Sequence, residues 1–171
     1  MNYYITGIAG TGKSTILKAL RKKGHGSIDI DAHPELRHWI NKKTKRKAHY
    51  KKGAGADWIN AHAYVMDIKK LAHVLKRNKN KHFFVCGITS NQEKAYYLFE
   101  KVFLLKTTKT IITKRLLKRK GNPFGREKSE RDQIFSWYKD FEKGMQAHGA
   151  VIINAGDPTR IVLKNILQKV S

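Results

Sequence analysis

Glycines, a lysine and hydroxyl side chains alternate in Gly7-Ile8-Ala9-Gly10-Thr11-Gly12-Lys13-Ser14-Thr15, which satisfies the G-x-x-x-x-G-K-[ST] pattern of a phosphate-binding loop. Glycines at these places let backbone N–H groups converge on a polyphosphate, and a helix that follows adds partial positive charge at its N-terminus. Lys13 would reach the β- and γ-phosphates, and the Ser14 hydroxyl would ligate Mg²⁺. Ala9, Gly10, Thr11, Gly12 and Thr15 would complete the cradle. The competing reading is a Gly-rich turn that merely precedes a helix, but every fixed position of the pattern is filled in the right context. The expectation is a site for a nucleoside triphosphate.

Carboxylates come next. Asp29, Asp31 and Glu35 are the only acids in the first 56 residues of a heavily basic chain. Ser27-Ile28-Asp29-Ile30-Asp31 reads as a short strand, where carboxylates at i and i+2 face the same side. Phosphoryl transfer needs metal charge and a positioned acceptor more than covalent chemistry. The bland alternative is that the two aspartates cap the next helix. Further on, Arg115 and Arg119 sit one helical turn apart on one face. A solvated face is the alternative there, because Lys114, Lys118 and Lys120 are adjacent.

The elements that must position these groups alternate strand and helix. Tyr3-Tyr4-Ile5-Thr6 reads as a strand, and Ile16, Leu17 and Leu20 recur behind the loop at helical spacing. After the Asp29–Asp31 strand, His33-Pro34-Glu35 starts a helix through about Ile40. A basic, turn-prone segment fills 41–52, and Gly53-Ala54-Gly55-Ala56 reads as a hinge. The spacing of Ile59, Ala63, Met66 and Val74 predicts a long helix from about Asp57 to Leu75, closed by Asn78-Lys79-Asn80. His82 to Gly87 is a continuous apolar run, as in a buried parallel strand. Asn91 to Phe99 reads as helical and Val102 to Leu105 as a strand. Thr108 to Lys120 and Ser129 to about Gln146 read as helices. Val151-Ile152-Ile153 is the last strand, and Asp157-Pro158 is N-cap and first residue of the terminal helix.

Five short strands alternating with helices indicate an α/β fold: a parallel sheet covered on both faces. Ligands of such sheets bind at the carboxyl ends of the strands. That rule gathers the 7–15 loop, Asp29 and Asp31, Gly87 onward, the end of the fourth strand and the 154–158 loop around one nucleotide.

At 171 residues the chain has the size of one domain. No apolar run approaches membrane-spanning length, and the first strand starts too early for a signal peptide. The single cysteine, Cys86, excludes an internal disulfide and fits a reducing cytosol, so a cytoplasmic location is expected. Lysine and arginine number 36 against 13 acids, a formal net charge of +23. Such a surface attracts polyanions, nucleic acid included. The excess is mostly lysine with sparse interleaved aromatics, which favours solvated faces over a nucleic-acid partner. Scattered histidines show no zinc spacing.

With the loop, the Asp-x-Asp and the Arg-x-x-x-Arg in view, the chain resembles the small P-loop kinases of the adenylate kinase and shikimate kinase type. The resemblance is strong over 1–31 and 82–171 and weak over 33–80. It implies a three-layer P-loop NTPase fold with a five-stranded parallel sheet and helices on both faces. The chain 1–171 would be a single domain, with a substrate-binding insertion at 33–80 and a short lid at 120–132. It further implies Mg²⁺-dependent phosphoryl transfer from ATP. By that resemblance Asp29 would support Mg²⁺ beside Ser14, and Asp31 would receive the acceptor hydroxyl. Arg115 would stack on adenine and Arg119 would bind phosphates. Gly121 and Gly125 would hinge the lid, swinging Arg126 or Arg131 onto the transferring group. Asp157 and Pro158 would line the adenine edge.

The chain also departs from those families. The Phe83–Gly87 strand carries no acid, and Gly87-Ile88-Thr89 stands where shikimate kinases have a glycine triplet. No arginine at a convincing place after the Asp-x-Asp offers itself to a substrate carboxylate, so shikimate is not the expected acceptor. Within the insertion, Trp58, His62 and Met66 fall on about one face of the predicted helix, with Trp39 as a second stacking surface. With Gly87 and the carboxylates of Asp57 and Asp67 nearby, that set suits a nucleoside or other ring-bearing alcohol; the equal alternative is that Trp58 and Met66 are core and His62 is a satisfied, partly buried histidine. The expectation is an ATP- and Mg²⁺-dependent phosphotransferase for a small-molecule hydroxyl or nucleotide, monomeric or dimeric. A nucleoside or nucleoside-monophosphate kinase is one alternative, and a nucleic-acid-binding ATPase or polynucleotide 5′-hydroxyl kinase the other.

Overall fold

The computed structural model describes residues 1–50, 55–119 and 124–170. Its centre is β1 (Asn2–Thr6), which pairs in parallel with β6 (Phe83–Cys86) on one side and β7 (Lys101–Lys106) on the other. β2 (Gly26–Asp29) adds beyond β6 and β8 (Val151–Asn154) beyond β7, giving the order β2-β6-β1-β7-β8. The expected five-stranded parallel sheet is therefore present.

Period-two alternation splits the strand residues between two cores. Tyr3, Ile5, Phe84, Cys86, Phe103 and Leu105 face α1 (Lys13–Lys22) and α7 (Thr159–Leu167), whose Ile16, Leu17, Leu20, Val162 and Ile166 close that layer. Tyr4, Phe83, Val85, Val102 and Leu104 point the other way. There they meet Leu71 and Leu75 of α3 (Ile68–Arg77) and Met145 of α6 (Tyr138–Ala147). Helix, sheet and helix make three layers. A third cluster joins Ile8 to Ile112 and Leu116 of α4 (Lys109–Lys118) and Ile134 of α5 (Lys128–Ser136), tying the glycine loop after β1 to both helices. Cys86 is buried in the first core, where burial pushes its thiol up to about 12. No helix among the described residues is long and apolar enough to cross a membrane.

The insertion departs from expectation. Pro34–Leu36 is a single 3-10 turn, and the helix expected through Ile40 is instead β3 (Arg37–Asn41). The long helix expected over 57–75 is three elements: α2 (Gly55–Ala61), β5 (His62–Met66) and α3. The reason is antiparallel pairing. Arg37 to Asn41 pair with Met66 to His62, and β4 (Lys47–Ala48) adds on the other edge of β3. Trp39 sits opposite Tyr64 with ring centroids 5.0 Å apart, the aromatic cross-strand contact that rewards extended backbone over helix. Asp67 then starts α3, its carboxylate accepting from Lys70 N at 3.1 Å.

Smaller corrections follow the same physics. Residues 92–98 form a 3-10 rather than an α-helix. The 129–146 helix is two, α5 and α6, meeting at Trp137. The terminal helix starts one residue late, with Pro158 as N-cap rather than Asp157. Lys51 to Ala54, with half of the expected hinge, and Lys120 to Pro123, with Gly121 of the expected lid, lie outside the described residues.

Candidate active site

The loop after β1 is built by its glycines. Gly10 and Gly12 adopt φ of +87° and +98°, left-handed values that glycine reaches without a Cβ clash. A Cβ on Gly10 would stand 2.9 Å from Ile112 Cγ2. The Thr11 hydroxyl donates to Ile8 O at 2.9 Å and pins the turn. Gly12 then caps α1 with no side-chain cap and no acid in the first turn. The helix N-terminus therefore presents free N–H groups and roughly half a positive charge.

Lys13 is half-buried, and its ammonium donates to Gly7 O and to Ile8 O, the latter at 3.1 Å. Burial lowers its pKa from the ordinary lysine value. The ion pairs among the described residues join His33 to Glu35, Lys70 to Asp67, Lys106 to Glu142 and Lys128 to Asp132. None of them draws on Lys13, so the cradle keeps its charge for an anion.

Asp29 lies across the mouth of the loop. Its Oδ2 accepts from Ser14 Oγ at 3.3 Å and its Oδ1 from Asp31 N at 3.1 Å. The second contact corrects the sequence expectation: Asp31 is not on the strand but in a 3-10 turn, Ile30–Ala32, which Asp29 caps. Asp31 in turn accepts from the Tyr64 hydroxyl at 2.9 Å. Burial, then the negative charge of Asp31, raises the Tyr64 pKa well above the ordinary phenol, so Tyr64 keeps its proton. Ser14, Asp29, Asp31 and Tyr64 thus form one continuous chain of hydrogen bonds from phosphate loop to insertion. Among the described residues no three His, Cys, Asp or Glu side chains cluster as a metal site. Ser14 and Asp29 fit a Mg²⁺ ion that takes most of its oxygens from water and phosphate.

On the other flank, Arg115 Nη1 donates to Thr11 O at 3.3 Å, so its guanidinium rests on the loop. Arg119 Nη2 donates to Phe124 O at 2.8 Å, and burial, then the neighbouring Arg126, lowers its pKa. Arg126 donates to Arg119 O, while Arg131 donates to Gly125 O at 3.1 Å and to Arg126 O. Glu130 completes the turn: its Oε2 accepts from Gly125 N at 2.7 Å and, in a capping box with Glu127, from Glu127 N at 3.4 Å.

These groups surround a cleft of about 1590 Å³. From the expected set, Ala9 through Thr15, Asp29, Asp31, Arg115, Arg119, His62 and Asp157 line it. Others do not. Gly87 is buried under Ile30, Arg126 faces backbone, Pro158 lies outside the lining, and Met66 is core. Trp58 lies behind His62, rings stacked at 3.9 Å, and His62 Nδ1 donates to Trp58 O at 2.7 Å, which leaves the lone pair on Nε2 when the ring is neutral. The sequence reading missed Arg37, Lys42, Tyr50 and Tyr64, all of which line the cleft. The β-forming run His62-Ala63-Tyr64-Val65-Met66 was the signal available for Tyr64.

A family model described as an AAA domain matches residues 4–136. No curated protein sequence matches the chain. Among solved structures, a shikimate kinase from Acinetobacter baumannii in complex with shikimate aligns with TM-score 0.62 and 18% identity, covering 99% of this chain and 92% of that one. A deoxyadenosine kinase from M. mycoides aligns with TM-score 0.58 and 15% identity over 99% of this chain and 98% of that one. A gluconokinase from Sinorhizobium meliloti 1021 aligns with TM-score 0.55 and 16% identity over 95% and 87%. At these identities the likeness is one of fold.

Proposed function

The chain belongs to the AAA-domain family of P-loop proteins and has the fold of the small P-loop kinases, and from that premise we propose that it transfers the γ-phosphoryl group of ATP to a small-molecule or nucleotide acceptor. The observation that carries the reading is the hydrogen-bonded chain Ser14–Asp29–Asp31–Tyr64. It joins the group that would face Mg²⁺ to the group that would face the acceptor, across a single cleft.

In this reading the N–H groups of the loop and Lys13 hold the β- and γ-phosphates. Ser14 and Asp29 hold Mg²⁺, which supplies charge to the phosphate oxygens when bound. Asp31, fixed by Tyr64, accepts the proton of the acceptor hydroxyl. The acceptor oxygen bonds to the γ-phosphorus as the bond to the β–γ bridging oxygen breaks, and ADP leaves. Arg115 lies on the nucleotide flank, where its plane can stack on the base. Arg119 reaches the transferring oxygens once it exchanges the Phe124 carbonyl for phosphate, and Arg126 follows if the 124–127 turn closes. Asp157 borders the adenine edge.

The test is ATP consumption with Mg²⁺ against pools of nucleosides, nucleotides, sugars, polyols and 5′-hydroxyl oligonucleotides. Stimulation by one pool that disappears in Asp31→Asn supports the reading. Tight ATP binding with no stimulation by any pool counts against it.

A further inference from the structure

β3 and β4 form a hairpin, with Trp39 opposite Ala48 and Ile40 opposite Lys47, and β4 is an edge of the second sheet. Positions 42–47 at its tip hold Lys42, Lys43, Lys45, Arg46 and Lys47, with Thr44 between them and no acid. All six residues are exposed, and none of the ion pairs among the described residues includes them. Like charges so close repel, and a loose loop would spread them apart. This turn is held together instead. Asn41 Oδ1 accepts from Lys43 N at 3.0 Å and from Thr44 N at 2.9 Å. Lys45 N donates to Asn41 O and Asn41 N to Arg46 O, both at 2.9 Å. Lys42 N donates to Ala61 O at 2.9 Å, tying the tip to the end of α2.

Lys45 has a φ of +59° and is the only non-glycine residue with left-handed backbone among the described residues. Glycine or asparagine takes that conformation readily, whereas a long side chain there stores strain. A lysine kept at that corner, with its cationic neighbours held close, points to an anion that carries several charges. The chain-wide excess of lysine fits solvated faces; this turn differs from them in being fixed and strained.

Tyr50 stands at the foot of the same hairpin. Its ring stacks on Trp39 at 5.9 Å and 24°, yet the residue remains 44% exposed. The partner that uses both features is a single-stranded nucleic acid, whose phosphates meet the cations while an unstacked base meets the ring. A duplex hides its base faces, and an acidic peptide carries no planar base. An anionic membrane would meet a tip with no apolar side chain from Asn41 to Lys47. Lys42 and Tyr50 also line the cleft, so a strand on the hairpin runs along its rim, where Lys18, Lys114 and Lys118 add charge.

We propose that the β3–β4 hairpin is a docking surface for single-stranded nucleic acid, with Lys43, Lys45 and Arg46 on the phosphates and Tyr50 against a base. The surface acts by binding alone and holds whichever acceptor the cleft takes.

The experiment measures fluorescence anisotropy of labelled oligouridylate and oligothymidylate dodecamers, and of a duplex of the same length, with the full chain over a range of salt. Binding of either single strand upholds the surface, and the tighter of the two identifies the sugar. The combined variant Lys43→Gln, Lys45→Gly, Arg46→Gln should weaken single-strand binding at least about tenfold and flatten its salt slope by about 2, for three lost phosphate contacts. The combined variant Lys76→Gln, Arg77→Gln, Lys79→Gln removes the same charge from the end of α3 and should leave affinity and slope within about twofold of the parent. Lys45→Gly alone should weaken binding about threefold without lowering the melting temperature, which separates charge from fold. Tyr50→Ala should cost single strands about fivefold or more and the duplex little. No binding of either strand, an equal loss in the α3 variant, or undiminished single-strand affinity in Tyr50→Ala would each overturn the proposal. Hairpin-dependent retention on anionic vesicles without strand binding would overturn it in favour of a membrane.

Discussion

The hydroxyl of Tyr64 donates a 2.9 Å hydrogen bond to Oδ1 of Asp31 across 33 positions of sequence. It fixes one carboxylate oxygen and leaves the other to accept a proton. Tyr64→Phe should lower kcat by about 10- to 100-fold, the range of a hydrogen bond to a charged group, with the KM for ATP little changed. Steady-state kinetics decide it. An unchanged kcat would remove the positioning role.

Lys13 is the cation closest to the loop carbonyls and the one the γ-phosphate would claim. Lys13→Ala should reduce turnover by roughly 10³-fold or more, since charge stabilisation carries most of phosphoryl transfer. Single-turnover assays at saturating ATP separate lost chemistry from lost binding. Wild-type rates in this variant would sink the assignment.

Gly10 combines a φ of +87° with a wall of Ile112 at 2.9 Å from the missing Cβ. Gly10→Ala should cost about 1–3 kcal/mol in stability and weaken nucleotide binding together, because strain and crowding fall on the same loop. Gly149, also at positive φ but with open space around it, provides the contrast. Its alanine variant should lose stability only, with nucleotide affinity intact. Thermal unfolding and ATP-analogue titration read both.

Glu130 holds the turn over α4 through Gly125 N and Glu127 N. Glu130→Ala should cost about 1 kcal/mol, as for a lost helix cap, and speed amide exchange in 124–131 before elsewhere. Exchange that rises uniformly along the chain would contradict a local role.

The alkaline limit follows from groups that are neutral when protonated. Burial raises the pKa of Cys86, Tyr96 and Tyr138 to about 12, from ordinary values of 9.0 for the thiol and 10.0 for the phenols. Each of these protons is held more tightly in the folded chain than in the unfolded one. Their stabilisation is therefore complete below about pH 9 and is lost as pH rises toward 12. Thermal unfolding from pH 8 to 11.5 should show a falling Tm whose slope is reduced in Tyr138→Phe.

Local patterns made the frame legible. The glycine spacing of the loop, the apolar run Phe83 to Cys86 and the capped helix after Thr108 each declare themselves within a few residues. The insertion did not, because Ile59, Ala63, Met66 and Val74 imitate a helical stripe while the strand at 62–66 depends on β3 for its identity. Strand preference is settled by partners, and these partners are up to 29 residues apart, as Arg37 from Met66. The same distance hid the insertion's side of the cleft. Arg37 and Tyr64 gain meaning only when the second sheet brings them to Asp31.

The central strand β1 precedes both of its neighbours by a long stretch of chain: β6 begins at Phe83 and β7 at Lys101. The floor of the loop depends on the later of the two, since the missing Cβ of Gly7 would stand 2.7 Å from Leu105 O. A nascent chain therefore carries the whole nucleotide motif long before it can shape it, because closing so wide an interval delays the pairing that would. The loop can take its folded shape only once β7, which ends at Lys106, has been made.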